Sequence, residues 1–235
     1  MAGSVDQPAI SVRVETSRSR AALDRDEQQV KDGILRMGSL VENQIRKAIR
    51  SLVDHDAELA VEVIAGDGEV NDAQRVVNEA VAMTIATQSP VARDLRFLLA
   101  LHHVGYELER IGDHASSVAK QARKLADDRS LPSIAELGRI GGLAADQVHG
   151  VLNAVVDVDD VRAREVAARD DDIDHGYHKI FADVIKVMSA DPTTVERGTR
   201  LILTAHWIER IGDRVTNIAE DVVYLATGDV EDLNP

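Results

Sequence analysis

The residues best placed for chemistry in this chain are carboxylates set four positions apart. Glu109 with Asp113, and Glu209 with Asp213, belong to one five-residue run, Glu-Arg-Ile-Gly-Asp, which occurs at 109–113 and again at 209–213. On a helix, four positions return to the same face, so each pair sets two like charges side by side at a cost of about 0.3 kcal/mol. A penalty placed at the same point of two halves argues that the carboxylates are used. Two further pairs share the spacing: Asp67 with Asn71, and Asp170 with Asp174, the latter flanked by Asp171 and Asp172. On the last helix, counting about 100° per residue from Glu209, Asp213 falls near 40° and Glu220 near 20°, with Asn217 and Asp221 further round. These donors are carboxylate or amide oxygens without a thiolate, which suits Fe, Mn, Mg, Ca or carboxylate-bound Zn. The second half should bind first, because the first offers Asn71 and Lys120 where the second has Asp174 and Glu220.

Each feature also has a plainer reading. Charge on a helix face is usually a solvated surface, and only the duplication argues otherwise. Arg110 and Arg210 read as ion-pair partners of the neighbouring carboxylates. Gly112 and Gly212 read as packing glycines, since Ile-Gly-Asp inside a helix is no phosphate loop. His102, His103, His114, His175, His178 and His206 do not repeat between halves and read as surface or packing residues. Trp207 fits a core or an interface equally well. A di-iron oxidoreductase would need Glu-x-x-His on two helices, and no Glu here has His three positions later.

The elements that must carry these residues follow from apolar periodicity. Ile34, Met37, Val41, Ile45, Ala48 and Leu52 recur at three and four, giving a first helix over about 20–54; others follow at about 56–88, 90–127, 133–157, 160–190 and 192–227. Ser89-Pro90 reads as an N-cap with Pro at the first helical position, and Asp191-Pro192 repeats the device. Leu131-Pro132-Ser133 marks the boundary between halves, and Gly228 stops the last helix. Leu108, Ile111, Ala115, Val118 and Leu125, and in the last helix Ile208, Ile211, Val215, Ile218, Val222 and Leu225, form buried stripes from which the acidic strips face largely away. The expected architecture is all-α: two tandem three-helix bundles over 19–128 and 129–230, behind a flexible extension over 1–18.

Composition bounds the partners. Of 235 residues 44% are hydrophobic but only 3% aromatic, so the cores are aliphatic; the net charge of −14 argues against nucleic acid and anionic membrane surfaces. There is no cysteine, which excludes disulfides and thiol chemistry, and no leader or long apolar run, so a cytoplasmic protein without membrane insertion is expected. Outward acidic strips suit a docking surface better than a catalytic cleft, hence an adaptor and not an enzyme. The alternative is a structural helical scaffold without metal or signalling role.

The runs Gly-Asp-Gly-Glu-Val-Asn (66–71), Asp-Leu-Arg-Phe-Leu-Leu (94–99), Glu-Leu-Glu-Arg-Ile-Gly-Asp (107–113) and Ile-Glu-Arg-Ile-Gly-Asp-Arg-Val-Thr-Asn-Ile-Ala-Glu-Asp (208–221) resemble the PhoU family of bacterial phosphate-transport accessory and phosphate-signalling proteins. The similarity covers roughly 20–228. It implies six long helices in two pseudo-twofold bundles, a frequent homodimer and no catalytic reaction. It also implies negative regulation of the phosphate-starvation response, by coupling the phosphate ABC transporter, through a PstB-like ATPase, to a PhoR-like sensor histidine kinase. Some relatives bind iron or zinc clusters at (Glu/Asp)-x-x-x-Asp motifs, which Glu109/Asp113, Asp170/Asp174 and Glu209/Asp213 match, while Asp67/Asn71 departs from the pattern.

Overall fold

The structure, a computed structural model, describes residues 9–128 and 133–234, with 9–19 described by backbone alone. Among the described residues there are seven α-helices: α1 (Ala9–Val53), α2 (Ala57–Gln88), α3 (Ala92–Leu125), α4 (Ile134–Asp157), α5 (Asp160–Ala167), α6 (Asp170–Ala190) and α7 (Val195–Thr227), with a 3-10 turn over Pro192–Thr194. No strand occurs among the described residues. The all-α expectation holds, as α1–α3 pack as one bundle and α4 to α7 as a second.

Three local expectations change. The expected loose extension over 1–18 is already helical from Ala9; no Gly or Pro lies between Ala9 and Lys31 to stop α1 running back, and 1–8 lie outside the described residues. Ser89 does not cap α3 but closes α2 in the left-handed conformation (φ 49°), and Val91 stands before α3 instead. The corresponding Asp191 does cap, its side chain accepting from the backbone N–H of Thr193. The helix expected over 160–190 breaks at Ala168–Arg169, where i to i−3 hydrogen bonds from Arg169 N to Val166 O and from Asp172 N to Arg169 O tighten the backbone. Of the expected boundary, Leu131 and Pro132 lie outside the described residues.

The repeat is visible in the turns. His55 and Val158, 103 residues apart, both adopt positive φ (55° and 51°). Each precedes an N-cap aspartate, Asp56 accepting from Leu59 N at 2.9 Å and Asp159 from Arg162 N at 3.0 Å.

Burial follows the expected stripes: Ile34, Met37, Val41, Ile45, Ala48 and Leu52 on α1, and Ile208, Ile211, Val215, Ile218 and Val222 on α7, are buried, while Leu225 is only partly so. One continuous aliphatic core runs through both bundles, because α3 lies against α7 and α1 against α4. The α1/α4 contact is reciprocal. A Cβ at Gly38 would collide with Leu152, and one at Gly141 with Ile49; each glycine and each aliphatic partner is related to its counterpart by 103 residues.

Candidate metal and docking site

Two grooves, between α2 and α3 and between α6 and α7, hold the repeated carboxylates. In the second, Asp170 opens α6. The break before it, rather than the helix period, sets its direction, and the side chain turns in to become 96% buried (4% exposed). Gly212 on α7 makes room: a Cβ there would collide with Asp170 Oδ1. The carboxylate stands in the first turn of α6, at the positive end of that helix's dipole, which offsets part of the cost of a buried acid there. This corrects the outward-facing strip: Glu209, Asp213 and Asp174 are half-buried in the seam and Asp170 is fully inside it.

The second-half carboxylates act on one another. Burial first, then Asp174, Asp213 and Glu209, push the Asp170 carboxyl up to about 7. Glu209 is raised by burial and by Asp213, with Arg210 pulling it back; Asp174 is raised by burial and Asp213, with His178 opposing. Two oxygens are orphaned: Asp170 Oδ1 and Glu209 Oε2 are buried without a hydrogen bond, although His206 Nδ1 lies 3.6 Å and Arg210 Nε 3.7 Å from the latter. Arg210 Nη1 donates to Asp213 Oδ2 at 2.8 Å.

The first-half groove is a weaker copy. Asp67 is raised by burial and Asp113, and lowered by Lys120 and the Gln44 amide; Glu109 is raised by burial and Asp113, with Arg110 opposing. Arg110 Nη1 reaches Asp113 Oδ2 at 3.5 Å. Asn71 is exposed. Gly112 faces Gln44 Oε1 and Val70, each 3.2 Å from where a Cβ would stand. Both arginines thus serve as ion-pair partners and both glycines as packing points.

The marginal candidates diverge. Glu220 accepts from the backbone N–H of Leu233 at 3.0 Å, Asp221 turns to α3, its Oδ2 2.6 Å from His103 Nδ1, and Asn217 lines the clefts beside the C-terminal segment. Across the α3/α7 seam, Arg214 Nη1 approaches the buried Glu107 Oε2 at 3.4 Å. At the positions 100 residues removed, Trp207 stacks on His114 with centroids 5.3 Å apart, so Trp207 serves the interface between halves. Burial and Arg214 hold the His114 imidazole down to about 4.

One pair of site residues is missing from the sequence reading. Gln44 and Gln147, 103 residues apart, are buried in apolar stripes; each donates to a carbonyl 19 positions on (Val63 O at 3.5 Å, Val166 O at 3.4 Å) and leaves its own amide oxygen orphaned. The signal was a polar residue in each stripe at the offset that relates Asp67 to Asp170. His178 and His206, which the sequence reads as surface or packing residues, sit four positions after Asp174 and three before Glu209, spacings that put them on the carboxylate face.

The donor set and the orphaned oxygens fit a hard cation. Among the described residues no three His, Asp or Glu side chains are already gathered closely enough to hold one, and no helix is long and apolar enough to cross a membrane.

The PhoU domain model matches residues 34–122 and again 137–222. Proteins named phosphate-specific transport system accessory protein PhoU homolog are similar along most of the chain: one from Clostridium acetobutylicum is 34% identical over 92% of this chain and 99% of its own, and one from Pseudomonas aeruginosa 34% identical over 86% and 84%. The crystal structure of PhoU from Pseudomonas aeruginosa superposes with a TM-score of 0.84 at 33% identity, covering 88% of this chain and 99% of that one. That of the phosphate transport system regulatory protein PhoU from Streptococcus pneumoniae gives 0.84 at 28%, covering 89% and 99%. With both halves matched in order and the fold shared over 88% of its length, the chain belongs to the PhoU family.

Proposed function

We propose that the protein is a cytoplasmic, non-enzymatic regulator of phosphate homeostasis, a negative regulator of the phosphate-starvation response and a modulator of phosphate uptake. It acts as an adaptor between the ATPase of the phosphate ABC transporter and a sensor histidine kinase, as a homodimer. The observation that carries this reading is the match, over nearly the whole chain, to relatives named as accessory proteins of phosphate-specific transport. The acidic grooves supply charged surfaces that steer association. Cells without the gene should express phosphate-scavenging functions in abundant phosphate, and charge reversal of Glu209 and Asp213 should reproduce part of that defect with helical content unchanged. Normal repression in the deletion strain, with no second copy of the gene, refutes the regulatory reading.

Metal binding is part of the proposal. Asp170, Asp174, Glu209 and Asp213 would hold a hard or borderline cation, which would tie α6 to α7; Asp213 would first leave Arg210. Asp67, Glu109 and Asp113 would form the lesser site. The rival, a scaffold without metal, draws on the arginines that already engage the carboxylates in both halves. Metal analysis of untagged protein, with pull-down against the transporter, separates the two.

A further inference from the structure

We infer that the C-terminal segment after α7 is a strap that occupies the second-half acidic seam and sets how readily that seam takes a cation. The inference rests on the metal reading above. α7 ends at Gly228, whose φ of 84° reverses the chain, and the segment beyond makes three separate attachments. Arg164 on α5 grips Glu231 with two nitrogens, Nε to Oε2 at 3.0 Å and Nη2 to Oε1 at 2.8 Å, the fork geometry that holds a carboxylate in one orientation. The backbone N–H of Leu233 donates to Glu220 Oε1 at 3.0 Å, and the Leu233 side chain packs on the core. Asn234 Nδ2 then donates to Asp170 Oδ2 at 3.2 Å. Between strap and α7 lies a cleft of about 470 Å³ lined by Arg210, Asp213 and Asn217 from the helix and by Val230 and Asp232 from the strap.

The last contact decides the chemistry. Asp170 is the deepest carboxylate of the seam, with Oδ1 buried and unpartnered, and the strap places an amide donor on the other oxygen. The Asn234 amide takes one of the lone pairs of Oδ2, so a cation that chelates Asp170 through both oxygens competes with Asn234 for part of the carboxylate's acceptor capacity. Displacing it strains the Leu233 contact one residue back. The strap acts on the second-half seam, and it lies beyond residue 222, where the family match ends. If the strap is docked in about nine molecules of ten, apparent affinity falls about tenfold, since only the undocked fraction binds freely.

The test uses Mn2+ alone, titrated calorimetrically into three chains: full length, a chain ending at Gly228, and full-length Asn234→Ala. The shortened chain should bind about tenfold more tightly and Asn234→Ala about threefold, and in the full chain Mn2+ should speed hydrogen exchange of the 229–234 backbone. Equal affinity in all three, or weaker binding without the strap, overturns the inference and leaves the metal reading standing. No Mn2+ binding by any chain overturns both.

Discussion

The Asp67 and Asp170 grooves are built from equivalent positions, yet they differ in how far their acids are taken out of water. α2 runs unbroken through Asp67, which stays half-exposed with Gln44 and Lys120 to relieve it. The second half breaks its helix just before Asp170, buries that residue against Gly212 and surrounds it with other carboxylates, Asp174, Asp213 and Glu209 foremost. A duplicated unit has thus kept its backbone plan while one copy moved toward a charge trap. The lesson is that a small backbone tightening can change burial more than a substitution on an unbroken helix would.

The largest effect should come from removing that charge. Asp170 would ordinarily titrate near 3.8 and does so near 7 in the fold, so its ionisation opposes folding increasingly between those values and fully above them. Asp170→Asn should therefore stabilise the metal-free protein by about 2–4 kcal/mol at pH 8 and change little at pH 4. Asp67→Asn should act in the same direction but less. Urea unfolding at the two pH values reads both, and a variant less stable than the parent at pH 8 would contradict the burial argument.

Next in size are the packing glycines. Gly212→Ala drives a methyl group into Asp170 and should cost about 1–3 kcal/mol. Gly112→Ala meets neighbours at 3.2 Å that can shift, and with about 1 kcal/mol of helix propensity gained it should be near neutral. Equal losses would erase the distinction between the grooves.

The smallest contrast in free energy concerns the ion itself. Asp213→Ala should weaken Mn2+ binding about tenfold or more, whereas Asp113→Ala leaves the tighter binding event in place. Calorimetric titration of both decides it, and the reverse order would move the principal site to the first half.

Much of this was legible from residue spacing. The four-residue carboxylate pairs located both grooves, and the apolar stripes of α1, α3 and α7 gave the core almost residue by residue. What escaped was local backbone geometry. A helical wheel assumes an unbroken helix, so it could not show that tightening at Ala168–Arg169 would turn Asp170 inward, although Asp170-Asp171-Asp172 is the acidic first turn of a new helix. Ser89-Pro90 misled because Ser89 serves the helix before it. Gln44 and Gln147 each stand as a single polar residue inside an apolar stripe and so leave the stripe's period unchanged, and the strap has no periodicity to read.

The reciprocal fit of Gly38 on Leu152 and Gly141 on Ile49 has the form of an isologous contact, the kind made by two copies of one subunit about a twofold axis. Here both surfaces belong to one polypeptide. In a true homodimer every substitution is made twice, so the two ends of the seam must stay alike. Covalent joining lifts that constraint, and it holds the surfaces at high effective concentration, so that a weakened contact need not separate them. One end of the α3/α7 seam accordingly carries Glu107 with Arg214, and the other carries the stacked rings of His114 and Trp207. Linkage into a single chain is what lets two once-equivalent faces take on different tasks.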